Sequence, residues 1–181
     1  MNYAEIKYCD IANGVGVRTT LFVSGCRHGC PGCFNAAAWD FEAGRPFDEE
    51  VRAKLIESLS TPYVDGLSIL GGEPLEPENQ EVLAPFLKQV KEAMPTKDVW
   101  MWTGFTWEEV MGASRAHTSQ VGEILDHVDV LVDGPFVEAQ KDITLRFRGS
   151  SNQRIIDVAA SRKKKKVVLW RDEAVFSSHS W

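Results

Sequence analysis

Apolar residues recur along this chain in two alternating rhythms. Arg18 to Val23 (RTTLFV) is β-branched and aromatic and predicts a strand. Asp48 to Leu59 (DEEVRAKLIESL) changes period: Val51, Leu55, Ile56 and Leu59 share one helical face, Asp48 stands at the cap position, and acids fill the first turn. Gly66 to Leu70 (GLSIL) is a short apolar strand running straight into Gly71-Gly72-Glu73-Pro74. A second helix is predicted from Pro77 to Met94, with Leu83, Phe86, Leu87 and Val90 on its inner side and Pro85 expected to kink or restart it. Val99 to Trp102 is another strand, and Thr106 to Glu109 has capping-box spacing. A helix over about 120–127 leads to the strand VDVLVDG. Residues 145–158 read as strand and loop, and Lys166 to Trp170 as a last edge strand.

Strands alternating with helices imply an α/β fold of βα units around a mostly parallel sheet. The loops that stand out (the one after Val23, Gly71–Pro74, Thr103-Gly104-Phe105 and Asp133-Gly134) each follow a strand. Such loops gather at the C-terminal edge of a parallel sheet, which makes one site of four motifs.

Composition narrows the classes. The chain has 181 residues, 44% hydrophobic and 25% charged, enough for one domain with a real core. No apolar run approaches the roughly 18–20 residues of a membrane span. The start, MNYAEIKYCD, has no apolar segment of the secretory kind and carries Glu5 and Asp10, so a cytoplasmic address is expected, where thiols stay reduced. Net charge is −6, but residues 161–181 hold six Lys or Arg against two acids, which leaves the first 160 residues at −10. An acidic body makes a poor nucleic-acid binder, and the RKKKK run reads as a solvated segment or a contact for an acidic partner.

Three of four cysteines lie within eight residues, as C-x3-C-x2-C: Cys26, Cys30 and Cys33. In a reducing compartment such a cluster points to a metal centre. Structural zinc wants four protein ligands, for which His28 or Cys9 would have to complete the set. An iron–sulfur cluster also prefers cysteine, and with three ligands one iron keeps an open position. Gly25, Gly29 and Gly32 let the backbone wrap closely around a bulky inorganic core.

The triad after a first strand, followed in order by Gly71-Gly72-Glu73-Pro74, resembles the radical S-adenosylmethionine (SAM) superfamily. The resemblance implies a partial, open (βα) barrel in which Cys26, Cys30 and Cys33 hold a [4Fe-4S] cluster whose fourth iron chelates SAM. It puts the SAM amino group beside Gly71, Gly72, Glu73 and Pro74. The family's aromatic residue before the third cysteine is replaced by Gly32, with Phe34 following the cysteine, and these two positions face the adenine side.

DIANGVGVRTTLFVSGCRHGCPGCFN, WMWTGF, DVLVDGPF and FRGSSNQRIID together resemble the glycyl-radical-enzyme activases, specifically those that act on anaerobic ribonucleoside-triphosphate reductase. This implies an electron from a flavodoxin-like donor, reductive cleavage of SAM, and a glycyl radical made on the reductase as protein substrate. The resemblance spans residues 1–157 as a single domain; residues 158–181 lie outside it and read as a basic extension, an edge strand or tail. Activation of another glycyl radical enzyme, another small radical SAM activity, and a zinc-stabilised binding module are the competing readings.

Overall fold

The computed structural model describes residues 1–171. Seven strands form one open sheet: β1 (Asn2–Asp10), β2 (Arg18–Val23), β3 (Arg45–Pro46), β4 (Gly66–Gly71), β5 (Asp98–Trp102), β6 (Val130–Asp133) and β7 (Arg154–Asp157), in the order β3-β1-β2-β4-β5-β6-β7. Among the described residues five helices accompany them: α1 (Glu49–Leu59), α2 (Pro77–Ala93), α3 (Trp107–Met111), α4 (Val121–His127) and α5 (Val158–Lys164).

The sheet is mixed, which corrects the mostly parallel expectation. β2, β4, β5 and β6 pair in parallel, but β1 pairs antiparallel with both β2 and β3, and β7 antiparallel with β6. Connection length explains the change of sense. Only residues 11–17 join β1 to β2, too few for the dozen or so that a parallel crossover needs. Between β6 and β7 the chain makes one 3₁₀ turn (Glu138–Gln140) and no crossover helix, so it returns antiparallel.

The central strands are apolar on both faces. Leu67, Ile69, Val99, Met101 and Leu131 join Leu55, Leu59, Leu83, Phe86, Leu87 and Ile124 in the main core under α1, α2 and α4. On the opposite face no helix covers the sheet among the described residues. Trp100, Val130 and Val132 are instead closed over by Val15, Trp102, Phe147, Ile155 and Trp170. Trp100 meets Phe147 and Trp170 edge-on, at ring separations of 5.3 and 5.0 Å.

The helices match their sequence signals closely. Asp48 accepts a hydrogen bond from the Val51 amide and caps α1. α2 runs unbroken through Pro85, against the expected restart. Pro85 is on the exposed side, so the carbonyl it leaves without a helical donor is open to water. At α3 the capping box is complete: Thr106 Oγ1 accepts from the Glu109 amide, and Glu109 Oε2 accepts from the Thr106 amide at 2.7 Å. Because α3 is only five residues long, Thr106→Ala should lower stability by about 1 kcal/mol, read by urea unfolding.

At the C-terminal end, α5 is capped by Asp157, and its last turn carries Arg162, Lys163 and Lys164. Lys166 to Trp170 contributes one antiparallel bridge, from Leu169 to Ile156, rather than a full strand. The part of the basic extension beyond Arg171 lies outside the described residues. No helix among the described residues is long and apolar enough to cross a membrane.

Candidate active site

Parallel pairing of β2, β4 and β5 brings their C-terminal ends level, and the site is built from the loops that leave those ends. After β2 the chain enters the cysteine loop. After β4 it makes the Gly71–Pro74 turn, after β5 Thr103-Gly104, and after β6 Gly134. The ladder continues past the strands: Gly72 N–H donates to Val23 O at 2.7 Å and Glu73 N–H to Gly25 O at 2.8 Å. The cysteine loop is closed from its other side by Gly25 N–H to Ala38 O and Cys26 N–H to Trp39 O.

This lacing brings the loops to one cavity of about 130 Å³. It is lined by Cys26, Cys30, Cys33, Phe34, Gly71, Gly72 and Glu73, with His28, Trp39, Thr103, Gly104 and Gln153. Gly32 lines an adjoining groove of about 400 Å³, which shares Cys33, Phe34, Leu70 and Trp102 with the cavity and runs under Lys141–Gly149. Pro74 lines neither: it is buried in the turn, where it bends the chain toward α2. Cys9 stands apart, exposed at the end of β1 with its sulfur 4.0 Å from the Tyr63 hydroxyl.

The cysteines suit a metal centre by their chemistry. All three are free thiols. Burial pushes the Cys26 thiol up to about 11, with the Glu73 and Glu76 carboxylates adding to the rise, and burial also raises Cys30. A cationic metal group is what would strip these protons and hold the thiolates. Among the described residues no three His, Cys, Asp or Glu side chains converge on a point that would hold a single ion. Three soft donors spread around one cavity fit a larger sulfur-bridged group.

Glu73 is held from several sides. It is 1% exposed. Oε1 accepts from the Leu75 amide and the Thr103 hydroxyl, both at 2.8 Å. Oε2 accepts from the Gly104 amide at 2.7 Å and lies 2.9 Å from His28 Nε2. One carboxylate therefore ties the turns after β4 and β5 to the cysteine loop. Glu76, fully buried, takes Arg27 and Arg115. Arg27 also pairs with Glu78, holding that carboxyl down at about 2.

Sequence alone offers His28 only as a possible zinc ligand and gives Arg27 and Glu76 no role. Their partners lie 45 and 49 residues apart along the chain, beyond the reach of local spacing. Gln153 is legible in the sequence only as part of the polar stretch Arg148–Gln153. Its Oε1 accepts from the Gly149 and Ser150 amides and its Nε2 donates to Gly134 O, which anchors that stretch to the turn after β6. Arg18, near the glycine turn before β2, is fully buried, pairs with Asp98 at 2.7 Å and lies over Trp100 at 5.6 Å, a structural role.

A family model described as a 4Fe-4S single cluster domain matches residues 12–156. The chain is 47% identical over 155 residues to the anaerobic ribonucleoside-triphosphate reductase-activating protein of Pasteurella multocida, covering 84% of this chain and 95% of that one. The protein of the same name from Escherichia coli K12 is 40% identical, covering 84% of this chain and 96% of its own. That of Enterobacteria phage T4 is 38% identical over 157 residues, 86% and 93% of the two chains. With its cysteines and turns meeting at one cavity, this chain belongs to the family of anaerobic ribonucleoside-triphosphate reductase-activating proteins and carries an iron–sulfur cluster domain.

Proposed function

We propose that this protein is a radical SAM activase of an anaerobic ribonucleoside-triphosphate reductase, with Cys26, Cys30 and Cys33 as the three protein ligands of a [4Fe-4S] cluster. The observation that carries this reading is the meeting of three free thiols and the Gly71–Glu73 turn on one cavity. When bound, the cluster supplies the electron that cleaves the sulfonium of SAM, giving methionine and a 5′-deoxyadenosyl radical that takes a hydrogen atom from one glycine Cα of the reductase. A flavodoxin-like protein is the proposed source of that electron, and the cytoplasm the proposed compartment.

The chain's own residues prepare that step. Gly72 keeps the β4 turn tight against the cysteine loop: a Cβ there would sit 2.6 Å from Gly25 O. Such closeness would leave backbone rather than side chain to hold the methionine end of SAM. Phe34, 84% exposed beside Cys33, supplies an apolar surface at the mouth for the adenine. Trp39 and Phe136 line the same cavity and add to its apolar wall.

We read the seven-stranded sheet as a partial, open (βα) barrel. The groove leading from Gly32 and Cys33 under Lys141–Gly149 gives an extended peptide a route to the cavity, as a protein substrate requires.

The deciding experiment mixes anaerobically reconstituted protein, the reductase, SAM and a one-electron reductant, and records the EPR spectrum. A doublet from a carbon-centred backbone radical on the reductase is expected. SAM consumption without that doublet would mean another substrate. A colourless protein holding one zinc per chain would overturn the reading.

A further inference from the structure

A three-cysteine motif constrains only its sulfurs. Here the residues between the first two cysteines, Arg27 and His28, are both gripped from outside the loop. The Arg27 amide donates to Glu76 Oε1 and its guanidinium to Glu76 Oε2, each at 2.8 Å. The same guanidinium reaches Glu78 at 2.6 Å and lies 4.3 Å over the Phe41 ring. His28 Nε2 meets Glu73 Oε2 at 2.9 Å, and its ring packs edge-on against Phe105 at 4.4 Å. With Glu73 Oε2 as acceptor, His28 Nε2 is the donor in this bond.

The gripping groups are themselves fixed. Glu73 is held by Leu75, Thr103 and Gly104. Glu76 is 0% exposed and also binds Arg115, whose guanidinium lies 4.9 Å over Phe105, the ring that His28 touches. Two buried carboxylates and two aromatic rings therefore receive two consecutive side chains of the loop. The loop needs this, because Gly25, Gly29 and Gly32 all have left-handed φ (94°, 60° and 70°), and nothing lies within 4 Å of where a Gly29 Cβ would be. A glycine-rich loop left to itself samples many conformations, and ordering it costs free energy at the moment a ligand binds.

We propose that Arg27 and His28 are positioning residues, which clamp the cysteine loop to the turns after β4 and β5 and so present Cys26 and Cys30 in the geometry that retains the cluster. The clamp rests on the proposed function. It acts through the cysteines that flank it. Thr103 and Gly104 belong to it only as the far anchor of Glu73.

The test uses the full chain, loaded anaerobically with iron and sulfide, and follows iron release to a ferrous chelator in wild type, His28→Ala, His28→Gln and Arg27→Ala. Urea unfolding of each apo protein runs in parallel. His28→Ala and Arg27→Ala should each release iron about tenfold faster than wild type, the size of effect seen when a group supporting a metal ligand is lost. His28→Gln, whose side-chain N–H can still donate to Glu73, should recover most of the difference. Equal release rates in wild type and both alanine variants overturn the clamp. So does a His28→Gln protein that folds and yet loses iron as fast as His28→Ala, since packing alone would then be at work. If His28→Ala fails to fold, Arg27→Ala and His28→Gln decide by the same rates. A wild type that takes up no iron sinks the cluster reading itself, a result separate from equal rates in loaded proteins.

Discussion

Alanine at Cys26, Cys30 or Cys33 is expected to abolish reductive cleavage of SAM and bleach the brown iron–sulfur absorption, while Cys9→Ala leaves both at the wild-type level. The three sulfurs line one cavity, and no other cysteine does. Two thiolates would not replace three: in the proposed assignment each would contribute a separate metal–sulfur bond, and losing one would weaken the hold on the whole cluster. Cys9 lies at the far end of β1, exposed, next to Tyr63. The measurements are visible absorbance after anaerobic reconstitution and chromatographic detection of 5′-deoxyadenosine. Loss of the cluster from Cys9→Ala would overturn the three-thiolate assignment, because the protein would then be supplying a fourth ligand.

Gly71→Ala is expected to cost about 4 kcal/mol of stability and to destroy the site with it. Gly71 ends β4 at φ 114°, a conformation that alone costs an L-residue about 1–3 kcal/mol. A Cβ there would meet Val23 N at 2.6 Å, and Phe22 C and Val23 O at 2.7 Å. All three are backbone atoms of β2, a strand paired on both sides, so the obstruction cannot swing away as a side chain would. Overpacking of this kind adds about 1–3 kcal/mol. For a chain of this length the melting temperature should fall by roughly 10 °C. A Gly71→Ala protein melting within a degree or two of wild type would mean that β2 and β4 separate at this end more easily than their ladder implies.

Much of this is legible in the sequence, for physical reasons that differ by residue. β2 can be read to the residue because Arg18–Val23 is buried along its whole length, so β-branched and apolar character has no face to alternate with. α1 and α2 announce themselves through Leu55, Leu59, Leu83, Phe86, Leu87 and Val90, all fully buried on one side of each helix. β1 escapes such a reading because only Tyr3 is buried in it, leaving polar and charged residues to set its character. The sense of the outer strands escapes it too, since it is fixed by the crossover helices their connections lack.

The thiols and the Gly71–Glu73 turn are visible as motifs because each is contiguous. The grip on Arg27 and His28 is invisible because it joins residues brought together only when β2 and β4 pair. Glu73 illustrates the difference. The resemblance places it beside the SAM amino group, and the fold adds what no motif carries: its carboxylate receives four partners from three segments of the chain.

The two faces of the sheet are sealed by different means, and that difference has a dynamic consequence. Helices hold their own hydrogen bonds and leave the sheet only as packed units. The tryptophan side is shut instead by Val15, Trp102, Phe147, Ile155 and Trp170, single side chains from loops and strands. Amides under that cover should exchange with deuterium well before those beneath α1 and α2. A large partner pressing on the groove would therefore find the yielding side of the molecule next to the thiols, with the rigid side behind them as an anvil.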